Sequence, residues 1–390
     1  MSSVNHKSVS SSFLVCSEDQ VFRPTMKGNG KRNGNGNGNG NGNGHKLHAE
    51  GVNVGVTANG NATAKKQHYH LHPIKDDDYH HEVTDRVVEE PGKYELGQYG
   101  YGKNNVKLLH VHREGELHTV REYEVDTHLK LNSKKDFIAG DNKDIIATDT
   151  QKNTVYVLAN RHGVNSPEEF ALLVCSHFLY TYRHVEEATV HVEEYPWERL
   201  QVDQRDHNHA FIFSPKSFRF CTVVQKRNER PKIVGGLRDL RVLKTTQSAF
   251  TDFIQDEYRT LPDVNDRIFS TIVTATWEYS TANGVDFDDV WETVKECILD
   301  KFAGPPDTGI FSPSVQNTLY LAEKMILDKV EQISRIDMSM PNKHYFTLDL
   351  SKFPTSIVKS ENKEVYEPVD KPSGIIHAML ERKQEPRSKL

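Results

Sequence analysis

The stretch SPSVQNTLYLAEKMILDKVEQI, residues 312–333, decides the fold, because it begins with Ser-Pro and continues with regularly spaced apolar residues. These apolar residues, three or four apart, are Leu319, Ala322, Ile326, Val330 and Ile333. Their spacing predicts an amphipathic helix about five turns long. An earlier stretch has the same kind of start: Ser166 can cap a helix, Pro167 suits its first position and Glu169 completes a capping box. The two halves of the chain therefore each contain a helix that opens with Ser-Pro.

Strand patterns surround both helices. The first helix follows a predicted hairpin, in which residues 106–112 pair with a strand of alternating pattern and residues 114–116 form the turn. One face of that second strand carries Tyr123, Val125, Thr127, Leu129 and Leu131. A further strand pair is predicted at residues 189–202 and 210–225. The first half of the chain is thus predicted to contain strand pairs around a helix.

The second half repeats this order of elements with different residues. A long strand is predicted at residues 268–279, then a helix, then the helix of residues 312–333, then a strand pair. The first of these helices carries Val290, Val294, Cys297 and Ile298. We therefore predict an α+β fold of two tandem modules, residues 97–237 and 238–375, each an antiparallel sheet with helices on one face. Exposed sheet edges would remain, so we expect oligomerisation.

The last predicted strand contains PNKHYFTLDL, residues 341–350, and one of its faces changes from polar to apolar. Side chains two apart share a face of a strand. The shared face here carries Asn342, His344, Phe346, Leu348 and Leu350. This pattern predicts a strand whose far half lies in the core and whose near half lines the mouth of a pocket. A frayed strand end in water is the alternative.

Composition limits the possible functions. The 390 residues suit two or three domains. Residues 1–96 include an Asn-Gly alternation from Asn33 to Gly44, which predicts a disordered extension. A net charge of −6 with well-mixed signs indicates neither a nucleic-acid-binding nor a membrane-binding surface. No apolar run is long enough for a membrane span or a signal peptide, so we expect a soluble protein that is not secreted.

The tail, residues 376–390, ends in Ser388, Lys389 and Leu390. This tripeptide is the address that the peroxisomal import receptor reads, so we expect the protein in the peroxisome. The four cysteines are Cys16, Cys175, Cys221 and Cys297. They form no ligand or disulfide pattern, which predicts ordinary buried thiols in a reducing compartment.

Histidines are frequent but do not make a convincing metal site. The run of residues 68–72, with His80 and His81 nearby, falls in the predicted disordered extension, which has no outer shell of residues to fix ligands. The pairs His110/His112 and His207/His209 could each supply two ligands from one strand face. Because no third ligand is apparent, we interpret these pairs as solvated or hydrogen-bonded histidines.

Two features suit a small anion. A helix that starts near Ser312 would point free N–H groups at a ligand, and Gln316 adds an amide that both donates and accepts. An ordinary capped helix is the alternative. Arg267 offers a rigid pair of donors for a carboxylate or a similar anion, and a surface ion pair with Asp266 or Asp263 is its alternative.

Together the motifs resemble the urate oxidase (uricase) family over nearly the whole chain from Tyr101 onward. The matching motifs are YGKNNV (101–106), IATD (146–149), VLKTTQSAF (242–250), DRI (266–268), SVQ (314–316) and PNKHY (341–345). The terminal Ser-Lys-Leu agrees as well. The long Asn-Gly extension and the loop GPPDTG (304–309) depart from the compact family pattern.

The resemblance implies two tunnelling-fold (T-fold) modules whose sheets close into barrels in a homotetramer, with active sites between subunits. It implies oxidation of urate by O2 to 5-hydroxyisourate with release of H2O2, without metal or organic cofactor. One chain would supply the proton-handling residues Lys103 and Thr148, together with Asp149. A neighbouring chain would supply His344, which extends the proton relay, and five residues around the ring: Phe250, Arg267, Val315, Gln316 and Asn342.

Two other functions remain possible from the sequence alone. A metal-dependent T-fold enzyme that acts on a pterin-like substrate would also bind a flat heterocycle, but it needs a Cys/His metal cluster. A catalytically inactive peroxisomal binding protein would tolerate loss of the proton-handling residues. The presence of Lys103, Thr148 and His344 weighs against this second alternative.

Overall fold

The computed structural model describes residues 92–383, together with the backbone of the short segments 22–25 and 70–73. Most of the extension predicted to be disordered, and the ending Ser388-Lys389-Leu390, lie outside the described residues. The predictions on those segments therefore stay predictions. The two short segments, β1 (Phe22–Thr25) and β2 (His70–Pro73), pair antiparallel with each other.

Twelve further strands and five helices follow in residues 92–383. The helices are α1 (Lys135–Ala139), α2 (Thr148–His162), α3 (Pro167–Thr181), α4 (Phe287–Ala303) and α5 (Val315–Lys329). The strands are β3 (Tyr101–Glu114), β4 (Leu117–Leu131), β5 (Val185–Tyr195), β6 (Trp197–Val202), β7 (Arg205–Phe213), β8 (Phe218–Lys226), β9 (Lys232–Lys244), β10 (Phe269–Tyr279), β11 (Ile333–Ser339), β12 (Asn342–Thr347), β13 (Tyr366–Gly374) and β14 (His377–Glu381).

Ten of these strands form one antiparallel sheet, in the order β13-β12-β10-β9-β8-β5-β4-β3, with β11 beside β10 and β14 beside β11. The predicted class, antiparallel sheet with packed helices, is confirmed. Barrel closure stays a prediction, as does the division at residues 237/238. β9 runs across that predicted boundary.

The first hairpin forms as its alternation predicts. β3 and β4 pair along their full length around Gly115, whose φ of 62° suits the turn. The five residues predicted to share a face of β4 are all buried. This apolar face of β4 packs into the core. β3, on the other side of β4 from β5, is the edge strand of the sheet.

Helix α3 begins as predicted. Ser166 accepts a hydrogen bond from the Glu169 N–H, and the Glu169 carboxylate in turn accepts from the Ser166 N–H, so the capping box is complete. The apolar side chains of Phe170, Leu173, Val174 and Phe178 are buried against β5 and β8. Local capping and core packing therefore fix this helix together.

Helix α5 begins later and ends earlier than the sequence indicates. Ser314, and not Ser312, caps it by accepting from the Asn317 N–H, and Pro313 precedes the cap. Val330 ends the helix, while Ile333 starts β11 and is buried there. The spacing of apolar residues in the sequence continues past the end of the helix because β11, which follows, buries its own apolar residues against the same core.

Two other predictions require correction, and helix α2 was not predicted. The two strands predicted at residues 189–202 and 210–225 are four strands, β5 to β8, because Pro196 divides the first and residues 214–217 divide the second. In β12 the polar Asn342 is buried, whereas Phe346 and Leu348 are exposed, which reverses the predicted direction of burial. The reason is that only the start of β12 pairs with the central strand β10.

A buried ion network joins the helices of the two halves. Arg219 of β8 binds Glu168 of α3 at 2.7 Å and Asp288 of α4 at 2.5 Å, and Arg121 of β4 binds Asp288 at 2.7 Å. Burial raises the pKa of Glu168, and the Arg219 guanidinium opposes this rise. Each charge in this ion network is therefore stabilised by its partners, and removing one of them would leave another charge buried and unpaired.

Candidate functional site

The first group of predicted site residues lies where β3 meets the start of α2. Lys103 is on β3, while Thr148 and Asp149 form the exposed first turn of α2. Hydrogen bonding from Lys152 Nζ, at 2.6 Å, lowers the pKa of Asp149, and the charge of Lys103 adds a smaller effect. The structure therefore brings Lys103 and Asp149 near each other.

A chain of hydrogen bonds holds this first turn against the hairpin. Thr127 of β4 donates to Gln151 Oε1 at 2.9 Å, and Gln151 Nε2 donates to the Ile146 carbonyl at 3.2 Å. The Ile146 N–H donates to the Tyr101 hydroxyl at 2.8 Å. Gln151 is fully buried, and the sequence analysis did not identify it. Its place in α2, three residues after the predicted Thr148, was the only available signal.

Gly102 allows β3 and β4 to approach closely beside Lys103. A Cβ at Gly102 would lie 1.7 Å from the Thr127 carbonyl oxygen. Changing Gly102 to Ala should therefore lower the free energy of unfolding by about 1–3 kcal/mol, because backbone must move. Thermal denaturation measures this loss. Gly97→Ala is the matched control, since nothing lies within 4 Å of its added Cβ. Equal midpoints for both variants would contradict the pairing of Gly102 with β4.

The second group is assembled by the segment of residues 247–250, which lies between two other pieces of backbone. On one side the Ser312 N–H donates to the Gln247 carbonyl at 2.8 Å, and the Ala249 N–H donates to the Ser312 carbonyl at 3.0 Å. On the other side the Arg267 N–H donates to the Ser248 carbonyl at 2.8 Å. The segment thereby joins the approach to α5 with the start of β10.

Arg267 lies over the face of Phe250, with the guanidinium carbon 5.2 Å from the ring centroid. Burial lowers the pKa of Arg267, and its Nε is buried without a hydrogen-bond partner among the described residues. The alternative, an ion pair with Asp266 or Asp263, is not recorded among the described residues: Asp266 accepts from the Thr246 hydroxyl, and Asp263 pairs with Arg259. An unpaired, desolvated guanidinium beside an aromatic face is suited to a flat anion.

His344 and Asn342 lie on β12, and His344 is close enough to Arg267 to feel its charge. Burial and the charge of Arg267 lower the pKa of His344, which keeps its imidazole neutral at neutral pH. Asn342 is 8% exposed and pairs with Thr271 of β10. Their spacing of two residues predicts that both side chains share a face of β12.

The first turn of α5 completes the second group. Val315 is the first residue of the helix and is buried, whereas Gln316 is exposed. The first N–H groups of a helix have no partner within it, and they carry the positive end of the helix dipole. The Ser314 cap satisfies the Asn317 N–H, at 3.1 Å. The N–H groups of Val315 and Gln316 are therefore oriented for an anionic ligand.

The two groups lie on different parts of the sheet. Six inter-strand steps separate β3, which carries Lys103, from β12, which carries His344. At about 4.8 Å per step, this is roughly 29 Å along the sheet. The strand order thus gives one chain two partial groups at separate places.

His207 and three of the cysteines have the ordinary structural roles predicted for them. His207 Nδ1 accepts from the N–H groups of His209 and Ala210, so it is a hydrogen-bonded histidine. In residues 92–383, no three His, Cys, Asp or Glu side chains are grouped as metal ligands. Three of the four cysteines lie in this part of the chain, and all three are free and buried. No helix of the described segments is long and apolar enough to cross a membrane.

Comparison with known proteins identifies the family. The model of the family described as Uricase matches residues 99–224 and 233–377. All nine proposed site residues, from Lys103 to His344, fall in these ranges. The matched ranges cover both halves of the chain.

Curated relatives match at high identity. A uricase of Drosophila melanogaster is 51% identical over 320 residues, which cover 75% of this chain and 91% of the relative. A uricase of Danio rerio is 46% identical over 296 residues, which cover 76% of this chain and 97% of the relative.

A solved structure agrees with the sequence matches. The crystal structure of uricase from Arthrobacter globiformis is 35% identical and has a TM-score of 0.68, covering 76% of this chain and 97% of that one. Agreement of family model, relatives and fold across both halves shows that the chain belongs to the uricase family.

Proposed function

We propose that this protein oxidises urate with O2, at a site that two chains complete. One urate, one O2 and one water give one 5-hydroxyisourate and one H2O2. The purine loses two electrons, and O2 gains them. The reaction then needs a clamp for a flat anion, a group that moves protons and a place for O2.

The observation that carries this proposal is the environment of Arg267. Its guanidinium is partly buried and lies 5.2 Å from the Phe250 ring centroid, and its Nε has no partner in the part of the chain that the structure describes. An aromatic surface beside a free, fixed cation suits a planar anion better than it suits a neutral or flexible ligand. Urate is such an anion at neutral pH.

The other residues of the second group extend this clamp. Gln316 can pair with the ring edge opposite Arg267, and the Val315 N–H can donate a third hydrogen bond. Phe250 stacks on the ring face. These contacts convert a loose encounter into one fixed geometry for electron transfer.

The first group supplies proton handling. Lys103 with Thr148 accepts the proton that urate must lose before it gives an electron readily, and Asp149 orients nearby groups. The lowered pKa of His344 supports its part in this relay, because a neutral imidazole can both accept and donate a proton. Asn342, across from Thr148, borders the space for O2 and then for water.

The separation of the two groups along the sheet supports a site between subunits. Because Lys103 and His344 lie roughly six strand spacings apart in one chain, a second copy must bring its first group to the Arg267 clamp. The proposed assembly is a homotetramer whose sheets close into barrels, as the resemblance to the uricase family implies. Closure would also cover the exposed sheet edges.

The peroxisomal location and the import receptor stay predictions from the ending Ser388-Lys389-Leu390. The two rival functions receive no support from the family model or from the relatives. Cofactor-independent oxidation is part of the proposal, and it has a direct test.

Protein stripped of metal by a chelator should consume urate and O2 and release H2O2 at an undiminished rate, because the proposed residues act without a metal. Loss of urate's ultraviolet absorbance, O2 uptake and peroxide yield measure the three quantities. Loss of activity on chelation that copper restores would favour the metal-dependent alternative. Absence of urate consumption before and after chelation would contradict the proposed function itself.

A further inference from the structure

The motif of residues 242–250 contains a lysine that the roles above leave unexplained. Lys244 is the last residue of β9, and its Nζ donates to the Ile310 carbonyl at 2.8 Å and to Ser312 Oγ at 2.7 Å. Among residues 92–383 the structure records no carboxylate partner for it. The ammonium instead lies 5.8 Å and 5.6 Å from the ring centroids of Phe269 and Phe302.

Ser312 connects this lysine to both parts of the substrate clamp. Its hydroxyl accepts from Lys244 and from the Thr318 hydroxyl, 2.9 Å away in the first turns of α5. Its backbone N–H and carbonyl make the two hydrogen bonds to the 247–250 segment that carries Phe250. A shift of Ser312 would therefore move the start of α5 relative to Phe250.

We propose that Lys244 is a positioning residue of the urate site, where it ties the 310–312 loop to the end of β9 and thereby sets the first turn of α5 against Arg267 and Phe250. This inference rests on the proposed function. A three-donor ammonium can hold two acceptors of one loop at once, which an apolar side chain of similar length cannot do.

The cost of burying this charge supports a functional role. Desolvation alone lowers the pKa of Lys244 to about 8, so no neighbouring charge offsets its burial. The elements packed around it present Phe269 from β10, Phe302 from α4 and residues 310–312 from the loop, none of which titrates. An apolar residue would fill this place without that cost.

Lys244→Met in the full chain should raise KM for urate and the Kd of a non-oxidisable purine analogue about tenfold, the effect of losing roughly one charged hydrogen bond. The value of kcat should change less than about threefold, because Lys103 and Thr148 are untouched. Lys324→Met is the control: it removes an exposed cation from α5, where Lys324 forms an ion pair with Asp328. Its KM and Kd should equal those of the wild type.

The pH profile separates positioning from a purely structural role. Analogue binding by the wild type should weaken as pH rises through about 8, where Lys244 loses its charge. Lys244→Arg keeps the charge at these pH values, so this inflection should disappear. The same inflection in the wild type and in Lys244→Arg would overturn the proposal.

Three further outcomes decide the remaining cases. If wild-type protein does not oxidise urate, the proposed function fails before Lys244 is in question. If the wild type is active and Lys244→Met keeps its KM and Kd, the positioning role is wrong. If Lys244→Met does not fold, Ser312→Ala keeps the ammonium and removes its acceptor; a rise of about threefold in KM supports the role, and an unchanged KM refutes it.

Discussion

Replacing Lys103 with methionine should lower kcat for urate by about 10²–10⁴-fold, while the Kd of a non-oxidisable purine analogue changes less than about threefold. Methionine keeps the length and most of the volume of the side chain, but it cannot accept or donate the proton. The clamp around Arg267 belongs to the other group and stays intact. The loss therefore falls on proton transfer and not on binding.

Steady-state kinetics for kcat and titration of the analogue for Kd provide the two measurements. Lys107→Met is the matched control, because Lys107 lies on the same strand, is half exposed and packs over the Tyr195 ring at 3.9 Å. Its kcat should be close to that of the wild type. Equal losses of kcat and of analogue affinity at Lys103 would instead indicate a binding residue, as expected for an inactive binding protein.

The sequence predicted those elements whose signals are local. The capping box of Ser166 and Glu169 lies within four residues, and the alternation of Tyr123 to Leu131 reads directly as one buried face. Both signals act before any long-range contact forms. Helix α3 and the first hairpin were therefore predictable in type, position and burial.

Helix α2 lacked such a signal. Its buried positions include the polar Gln151, whereas Tyr156 and Val157 are substantially exposed. The apolar residues of α2 therefore do not all lie on one face of the helix, and no side chain caps its N-terminus. Only the hydrogen bonds of Gln151 to the hairpin, which sequence spacing does not reveal, explain why this polar residue is buried.

The predicted connection between the strands of residues 189–202 and 210–225 is present, as a tight turn at Asp203 and Gln204 between β6 and β7. Both residues have positive φ values, 53° and 60°, in a turn that usually contains Asn-Gly or Asp-Gly. The breaks inside the two predicted strands, at Pro196 and at residues 214–217, were missed because the strand pattern continues on both sides of each break.

The family motifs named nine candidate residues in two groups, one from each of two chains, and their part in a site stays a prediction. The structure places Lys103 on β3 beside the start of α2, and it places Asn342 and His344 on β12 at the other side of the sheet. The supports of the second group, Lys244 and Ser312, act through hydrogen bonds between segments about 70 residues apart. Such pairings depend on how the loop before α5 crosses the end of β9, which no local pattern encodes.

Replacing Arg267 with glutamine should raise KM for urate and the Kd of a purine analogue by about 10²–10³-fold, because a desolvated, charge-assisted pair of hydrogen bonds contributes roughly 3–4 kcal/mol. Glutamine keeps a planar polar group but loses the charge. Arg335→Gln is the control: it removes an arginine from a partly exposed ion pair with Glu278, and such pairs contribute little. Unchanged affinity in Arg267→Gln would remove the main support for an anion clamp.

Mixing two inactive variants then tests whether the site is shared. In a chain that carries Lys103→Met the Arg267 clamp is intact, and in a chain that carries Arg267→Gln the proton-handling group is intact. If each site takes one group from each of two chains, random assembly of the co-expressed variants restores about a quarter of wild-type activity, since one site in four receives both intact groups. If each chain forms its own site, every site keeps one defect and the mixture stays inactive. Recovered activity would therefore mean that the roughly 29 Å between β3 and β12 is bridged by a second copy of the chain, and a mixture that remained inactive with oligomers of both variants present would refute the shared site.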